Sequence, residues 1–118
     1  MKNILIRLAT IKDAKAILRI YEYYVQNTAI TFEYDTPTIE EFSQRIKQTL
    51  KKYPYLVAEQ DGKILGYAYA GEFNEREAYK FSVELSIYVD KDYKKCGIGR
   101  VLYEKLEGEL AKIGKFSF

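Results

Sequence analysis

Four basic residues, two glycines and the one cysteine crowd into residues 91–100, Lys91-Asp92-Tyr93-Lys94-Lys95-Cys96-Gly97-Ile98-Gly99-Arg100. A strand-like run precedes this segment and an amphipathic helix starts near Ile98. A helix N-terminus presents unpaired N–H groups and partial positive charge. Glycines let a phosphate approach those groups without meeting a Cβ, and lysines add neutralising charge. The segment therefore suits phosphate binding. It suits equally a glycine turn dressed with solvated lysines. It is neither a Walker A loop nor G-x-G-x-x-G, which removes support for ATP and dinucleotides. The chain has no histidine. Ser-His-Asp and Cys-His triads and His-ligated zinc are excluded. One cysteine makes neither an internal disulfide nor a thiolate metal cluster, so no metal is expected. Acid–base chemistry is left to Asp, Glu, Lys, Tyr, Cys or water.

The elements that would position this segment follow from pattern. Residues 3–9 read as a short apolar strand. Thr10 and Asp13 resemble a capping box, and Ala14, Ile17, Leu18, Tyr21, Tyr24 and Val25 recur at helical spacing, which predicts a helix over 11–27. Residues 28–37 break that period and read as an extended loop. Thr38 caps a second helix with Glu40 and Glu41 in its first turn. Its apolar stripe is Ile39, Phe42, Ile46, Leu50 and Tyr53, and Pro54 ends it. Strands follow at 55–60 and 64–72, joined through Asp61-Gly62, a strong hairpin signal. After a polar loop at 73–80 comes a third strand at 81–90, on which Val83, Leu85, Ile87 and Val89 share one face and Ser82, Glu84, Ser86 and Tyr88 the other. Ile98, Leu102, Leu106, Leu110 and Ile113 mark the last helix, with Gly114 as a C-cap. The order β-α-α-β-β-β-α predicts an α/β (α+β) fold, a mixed central sheet flanked by helices.

Length and charge bound the class. The 118 residues fit one domain, 1–118, with no repeat and no linker. A net charge of +2 is too near neutral to mark a nucleic-acid or membrane partner. No apolar run approaches the roughly 18 residues that cross a bilayer. The first ten residues show no signal-peptide pattern, and a lone cysteine suits a reducing compartment, so a cytoplasmic location is expected.

Lys94-Lys95-Cys96-Gly97-Ile98-Gly99 resembles the Q/R-x-x-G-x-G/A signature of the GNAT acyl-CoA N-acetyltransferases, with Lys94 in the Gln/Arg place. Thr31-Phe32-Glu33, Arg45, Tyr53-Pro54-Tyr55-Leu56-Val57-Ala58-Glu59, Gly66-Tyr67-Ala68-Tyr69-Ala70-Gly71 and Arg76-Glu77-Ala78-Tyr79 leading into Val83-Glu84 are similar to the phosphinothricin-acetyltransferase branch. The resemblance runs over residues 4–114. It implies a GNAT fold and direct acetyl transfer from acetyl-CoA, as cosubstrate, to the primary amine of a small molecule, such as phosphinothricin or methionine sulfoximine. Main-chain groups of Ile87, Tyr88 and Val89 would pair with the pantetheine arm. Lys94, Lys95, Cys96, Gly97, Ile98, Gly99 and Arg100 would hold the CoA phosphates.

Direct transfer needs a deprotonated amine and a stabilised oxyanion. Glu84 stands where the related enzymes place the general base. A carboxylate in mid-strand is costly to bury unless it is paired or used, which suits that role or a Glu satisfied by a nearby Lys or Arg. Phe32, Glu33, Arg76 and Tyr79 would border the acceptor, with Arg76 for an acceptor carboxylate. Phe32 also suits the core, and Arg76 a solvated loop. Tyr21, Tyr24, Tyr67 and Tyr69 read as core or pocket wall, and Cys96 as a variable position. The family fold continues past its third helix with a strand, a helix and two closing strands, so a C-terminally incomplete domain is expected. A second copy of the chain would cover the exposed groove as a homodimer. The alternative is a weak or inactive module that keeps CoA or phosphate binding, or self-associates.

Overall fold

A computed structural model describes residues 4–27, 36–72, 83–94 and 97–112. Strand β1 spans Leu5–Leu8, helix α1 Ala14–Asn27 and helix α2 Ile39–Leu50. Strands β2 (Tyr55–Gln60), β3 (Lys63–Glu72) and β4 (Val83–Val89) follow, then helix α3 (Ile98–Lys112). Single 3-10 turns at Ile11–Asp13 and Lys91–Tyr93 lead towards α1 and α3. The α/β order matches the sequence reading. Phe32, Glu33, Arg76, Tyr79, Lys95, Cys96 and the cap at Gly114 lie outside the described residues.

The sheet runs β1-β2-β3-β4 and every described pair is antiparallel, where a mixed sheet was expected. A two-residue turn joins β2 to β3, while β1 reaches its antiparallel place beside β2 through both helices. Asp61 and Gly62 take φ of +52° and +81°, the left-handed conformation a two-residue turn demands. Tyr55, Val57 and Tyr67 face α1 and α2, packing with Ile17, Tyr21, Phe42 and Ile46. Leu56, Ala58, Ala68 and Ala70 face α3. Ile98, Leu102, Leu106 and Leu110 of α3 are fully buried on that second face. Each is worth about 1.5–3 kcal/mol of burial, so the whole length of α3 is pinned to the sheet.

The predicted capping box at Thr10 forms, and the predicted Thr38 cap closes into a second one with Glu41. Thr10 N–H donates to Asp13 at 2.8 Å, and Thr38 N–H donates to Glu41 at 3.0 Å. Asp13 also takes two bonds of 2.9 Å from the Arg7 guanidinium, whose Nε donates to Glu59 at 2.8 Å. The network ties β1, the entry to α1 and β2 together. Arg7 holds the Asp13 carboxyl below the usual carboxylate range. The predicted α2 stripe is only partly right. Phe42 and Ile46 are buried, but Ile39 is 44% exposed. Its place in the first turn puts it beyond the sheet.

Candidate functional site

The antiparallel ladder decides which main-chain groups of β4 are committed. Asp90 N–H donates to the Leu65 carbonyl at 2.8 Å, and Ala70 N–H to the Pro54 carbonyl at 3.3 Å. In such a ladder a residue turns both main-chain groups to one side and its neighbours turn theirs to the other. The first bond makes Asp90, Tyr88 and Ser86 face β3. The second makes Tyr67 and Tyr69 face β4, opposite Tyr88 and Ser86, in agreement. Leu85, Ile87 and Val89 therefore direct their N–H and C=O groups to the far side of β4. Among the described residues no strand pairs with that side.

Helix α1 holds this edge at its C-terminal end. The Tyr24 hydroxyl donates to the Val89 carbonyl at 2.5 Å. Arg19 Nη1 lies 3.3 Å from Asp90 Oδ2. Asp90 is 4% exposed, and its other carboxylate oxygen accepts from Asp92 N–H at 2.9 Å, capping the turn that leads on to α3. Lys94 Nζ sits 5.2 Å from the Tyr24 ring centroid and 5.7 Å from that of Tyr23, a cation–π arrangement that keeps its charge beside the edge.

The start of α3 completes the arrangement. Val101 N–H bonds to the Gly97 carbonyl as the first intrahelical bond, so the N–H groups of Ile98, Gly99 and Arg100 have no partner within the helix. Gly97 takes φ +80°, which favours glycine over any other residue. A Cβ on Gly99 would make only ordinary contact with Val89, at 3.6 Å, so packing does not demand glycine there. Arg100 is solvent-exposed, with Nε 3.4 Å from Glu104. The buried Ile98 side chain fixes the amides at its own position and the next. This combination of outward amides, an open helix N-terminus and adjacent lysine charge suits an extended ligand that ends in phosphates.

The side chains of Ser86 and Tyr88 lie on the α1 and α2 face. Tyr88 stacks on Tyr67 at 5.2 Å and meets Tyr21 edge-on at 5.5 Å. Its main chain turns toward β3, so of the trio Ile87, Tyr88 and Val89 only the outer two present groups to the open side. Glu84 opposes Gly71, near the start of β4. It is exposed, so the expectation of a costly mid-strand carboxylate does not hold. Alternation fixed its face but could not say that this end of the strand stands in solvent. A Cβ on Gly71 would meet nothing within 4 Å among the described residues.

Further along this face lies a cavity of about 430 Å³ between α2 and the sheet. Tyr21, Phe42, Tyr55 and Tyr69 form its walls, as the reading of Tyr21 and Tyr69 anticipated. Tyr67 is core: fully buried, with a hydroxyl that has no hydrogen-bond partner among the described residues. Burial pushes the Tyr55 and Tyr67 hydroxyls well above the usual phenol range, so both stay neutral. Arg45 also lines the cavity. Sequence reasoning noted it within a motif but gave it no role. The signal was there, since Phe42, Arg45 and Thr49 share one helical face. Among the described residues no group of carboxylates and thiols could hold a metal, and no helix is long and apolar enough to cross a membrane.

Comparison with known proteins places these features. The acetyltransferase (GNAT) domain profile matches residues 6–114. The chain is 41% identical over 98 residues to a phosphinothricin N-acetyltransferase of Alcaligenes faecalis, covering 82% of this chain and 50% of that protein. It is 33% identical over 111 residues to an L-methionine sulfoximine/L-methionine sulfone acetyltransferase of Salmonella typhimurium, covering 93% and 65%. The structure of yncA from Salmonella typhimurium with its cofactor acetyl-CoA superposes with a TM-score of 0.88 at 32% identity, over 96% of this chain and 66% of that one. The chain thus spans about half to two thirds of the length of these relatives.

Proposed function

The chain belongs to the GNAT acetyltransferase family, and from that premise we propose that it transfers an acetyl group from acetyl-CoA to the primary amine of a small molecule, an amino-acid analogue of the phosphinothricin or methionine sulfoximine kind. The observation that carries the reading is the pair of main-chain features in one place: the outward amides of Ile87 and Val89, and the open N-terminus of α3 at Ile98, Gly99 and Arg100.

These residues fit the cosubstrate. Acetyl-CoA supplies a thioester already activated toward an amine. Ile87 and Val89 offer donors to an extended arm lying along β4, and an N–H from this edge polarises the acetyl carbonyl. Such a donor is worth about 2.7–4 kcal/mol of barrier in comparable oxyanion holes. The amides of Ile98, Gly99 and Arg100 hold phosphate oxygens, with Lys94 adding charge. Lys95 and Cys96 carry the motif between them. Glu84 takes the proton of the attacking amine, directly or through water, from the open side of the same strand. Phe32, Glu33, Arg76 and Tyr79 border the acceptor in this reading. A cytoplasmic setting fits the single cysteine and the cosubstrate.

The test combines binding and turnover. Wild type is titrated with acetyl-CoA and assayed for free thiol release with an amine panel. Glu84→Gln is expected to lower kcat by about 10²–10⁴-fold with the acetyl-CoA Kd unchanged. A variant that turns over as fast as wild type removes Glu84 from the chemistry. The exposure of Glu84 favours one second reading, a module that binds CoA without turnover. Tight acetyl-CoA binding with no thiol release for any amine would establish it.

A further inference from the structure

We propose that Asp90 and Arg19 form a positioning pair for the acetyl donor. Asp90 fixes the corner between β4 and α3, and Arg19 cancels the charge that this carboxylate would otherwise turn on the donor's phosphates. The inference rests on the reading of this edge as the acetyl-CoA site and names the residues that hold its two halves in register.

Three observations carry it. First, Asp90 ties the corner together through both main-chain groups and both carboxylate oxygens. Its N–H donates to the Leu65 carbonyl at 2.8 Å, and its carbonyl accepts from Tyr93 N–H at 2.9 Å. One carboxylate oxygen accepts from Asp92 N–H at 2.9 Å, and the other from Arg19 Nη1 at 3.3 Å. The residue follows Val89, whose amide faces the open edge, and opens the turn that leads toward Gly97.

Second, the opposing strand is shaped for this corner. Gly66 pairs with Ala58 and Ile64 with Glu59, so Leu65 is the extra residue of a bulge in β3. Leu65 and Gly66 both turn to the α3 face, where Leu65 is buried and Gly66 lies against Ile98. The bulge that offers its carbonyl to Asp90 therefore also seats the first residue of α3. Edge amides and helix amides are referred to one point.

Third, the charge sits where an anionic ligand would feel it. Asp90 is buried, and a Cβ on Gly99 would stand 3.6 Å from Val89, its neighbour in the chain. A buried carboxylate left without a partner is costly, and beside phosphates it is repulsive as well. Arg19 meets it from α1, with its own side chain half in solvent. Asparagine would cap the turn as aspartate does. The carboxylate adds the tie to α1, the helix whose Tyr24 hydroxyl also bonds the Val89 carbonyl.

The test is calorimetric titration of the full chain with acetyl-CoA, with circular dichroism as the check on folding. Arg19→Gln changes a half-exposed side chain and is expected to fold. It should weaken binding about 3- to 10-fold, the scale of one charge interaction near a protein surface. Adding Asp90→Asn to Arg19→Gln should recover most of that loss, because the uncompensated charge is gone and the bond from Asp92 remains. Turnover gives a second readout. S-acetylpantetheine carries the same thioester and arm without the phosphates, so the loss in kcat/KM should be several-fold larger for acetyl-CoA than for it. An Arg19→Gln protein that binds acetyl-CoA as tightly as wild type, a loss that Asp90→Asn does not recover, or equal losses for the two donors overturns the proposal.

The two levels separate in wild type. Acetyl-CoA binding without thiol release refutes acetyl transfer, and the binding pattern of the variants then decides on the pair. Turnover with variants that bind alike refutes the pair and leaves acetyl transfer standing. Failure of wild type to bind acetyl-CoA at millimolar concentration refutes both.

Discussion

Replacing Gly66 with alanine puts one methyl group at a close approach between the sheet and α3. The new Cβ would stand 3.1 Å from the Tyr88 carbonyl oxygen, 3.3 Å from Ile98 Cγ2 and 3.3 Å from Leu102 Cδ1. None of the three can yield freely. The carbonyl belongs to the β3–β4 ladder, and both side chains are fully buried. The strain is relieved by moving the start of α3 outward by a few tenths of an ångström. Overpacking of this kind costs about 1–3 kcal/mol. Loss of glycine's unfolded-state freedom returns about 0.4–1 kcal/mol. The net expectation is a loss of about 1–2 kcal/mol, a fall in Tm of roughly 4–8 °C for a chain of this size. Gly71→Ala is the control. Its Cβ meets nothing within 4 Å among the described residues and its φ is not positive, so it should be neutral or slightly stabilising. Because Ile98 opens α3, Gly66→Ala should also weaken acetyl-CoA binding several-fold, and Gly71→Ala should not. Thermal scans and calorimetry read both effects. A Gly66→Ala protein as stable as wild type would refute the close seating of α3 on β3, and with it the reason its N-terminal amides are held in place.

Tyr67→Phe removes a buried hydroxyl that has no partner among the described residues, so urea unfolding should show no loss, or a gain of about 1 kcal/mol. A loss above about 1.5 kcal/mol would mean that the hydroxyl is bonded in solution. Asp13 gives a pH signature. Its folded pKa is depressed by Arg7, so its contribution is complete above the unfolded value of about 3.9 and is lost as pH falls through the folded value. Urea midpoints measured from pH 7 to pH 2 should therefore decline more steeply in wild type than in Asp13→Asn below pH 4, and parallel curves would contradict the Arg7 pairing.

Local signals in the sequence were sufficient wherever the controlling interaction was itself local. The capping residues Thr10 and Thr38, the strand at 55–60 and the Asp61-Gly62 turn depend on neighbours a few residues away, and all form as read. Alternation along β4 correctly divided Leu85, Ile87 and Val89 from Ser86 and Tyr88. It could not give burial along the strand, so Glu84 was expected inside and stands in solvent. Nor could it give ladder parity, which depends on the bonds of Asp90 and Ala70 to other strands and turns Tyr88 toward β3. Asp90 ends the predicted strand at 81–90, and nothing local in the sequence marks it for burial. Its burial comes from Arg19 and Leu65, which are distant in sequence. The cavity is a product of tertiary packing, where α2 crosses Tyr55 and Tyr69, and no spacing rule announces it.

The central claim is that one edge of β4 and the first turn of α3 receive acetyl-CoA through main-chain amides. Amide resonances of the isotopically labelled chain, followed during titration with acetyl-CoA, test it residue by residue. The account predicts large saturable shifts for Ile87, Val89, Ile98, Gly99 and Arg100, with small ones for Ser86 and Tyr88, whose amides are committed to β3. Uniform shifts along β4, shifts confined to exposed lysines, or no shifts at millimolar acetyl-CoA would contradict it.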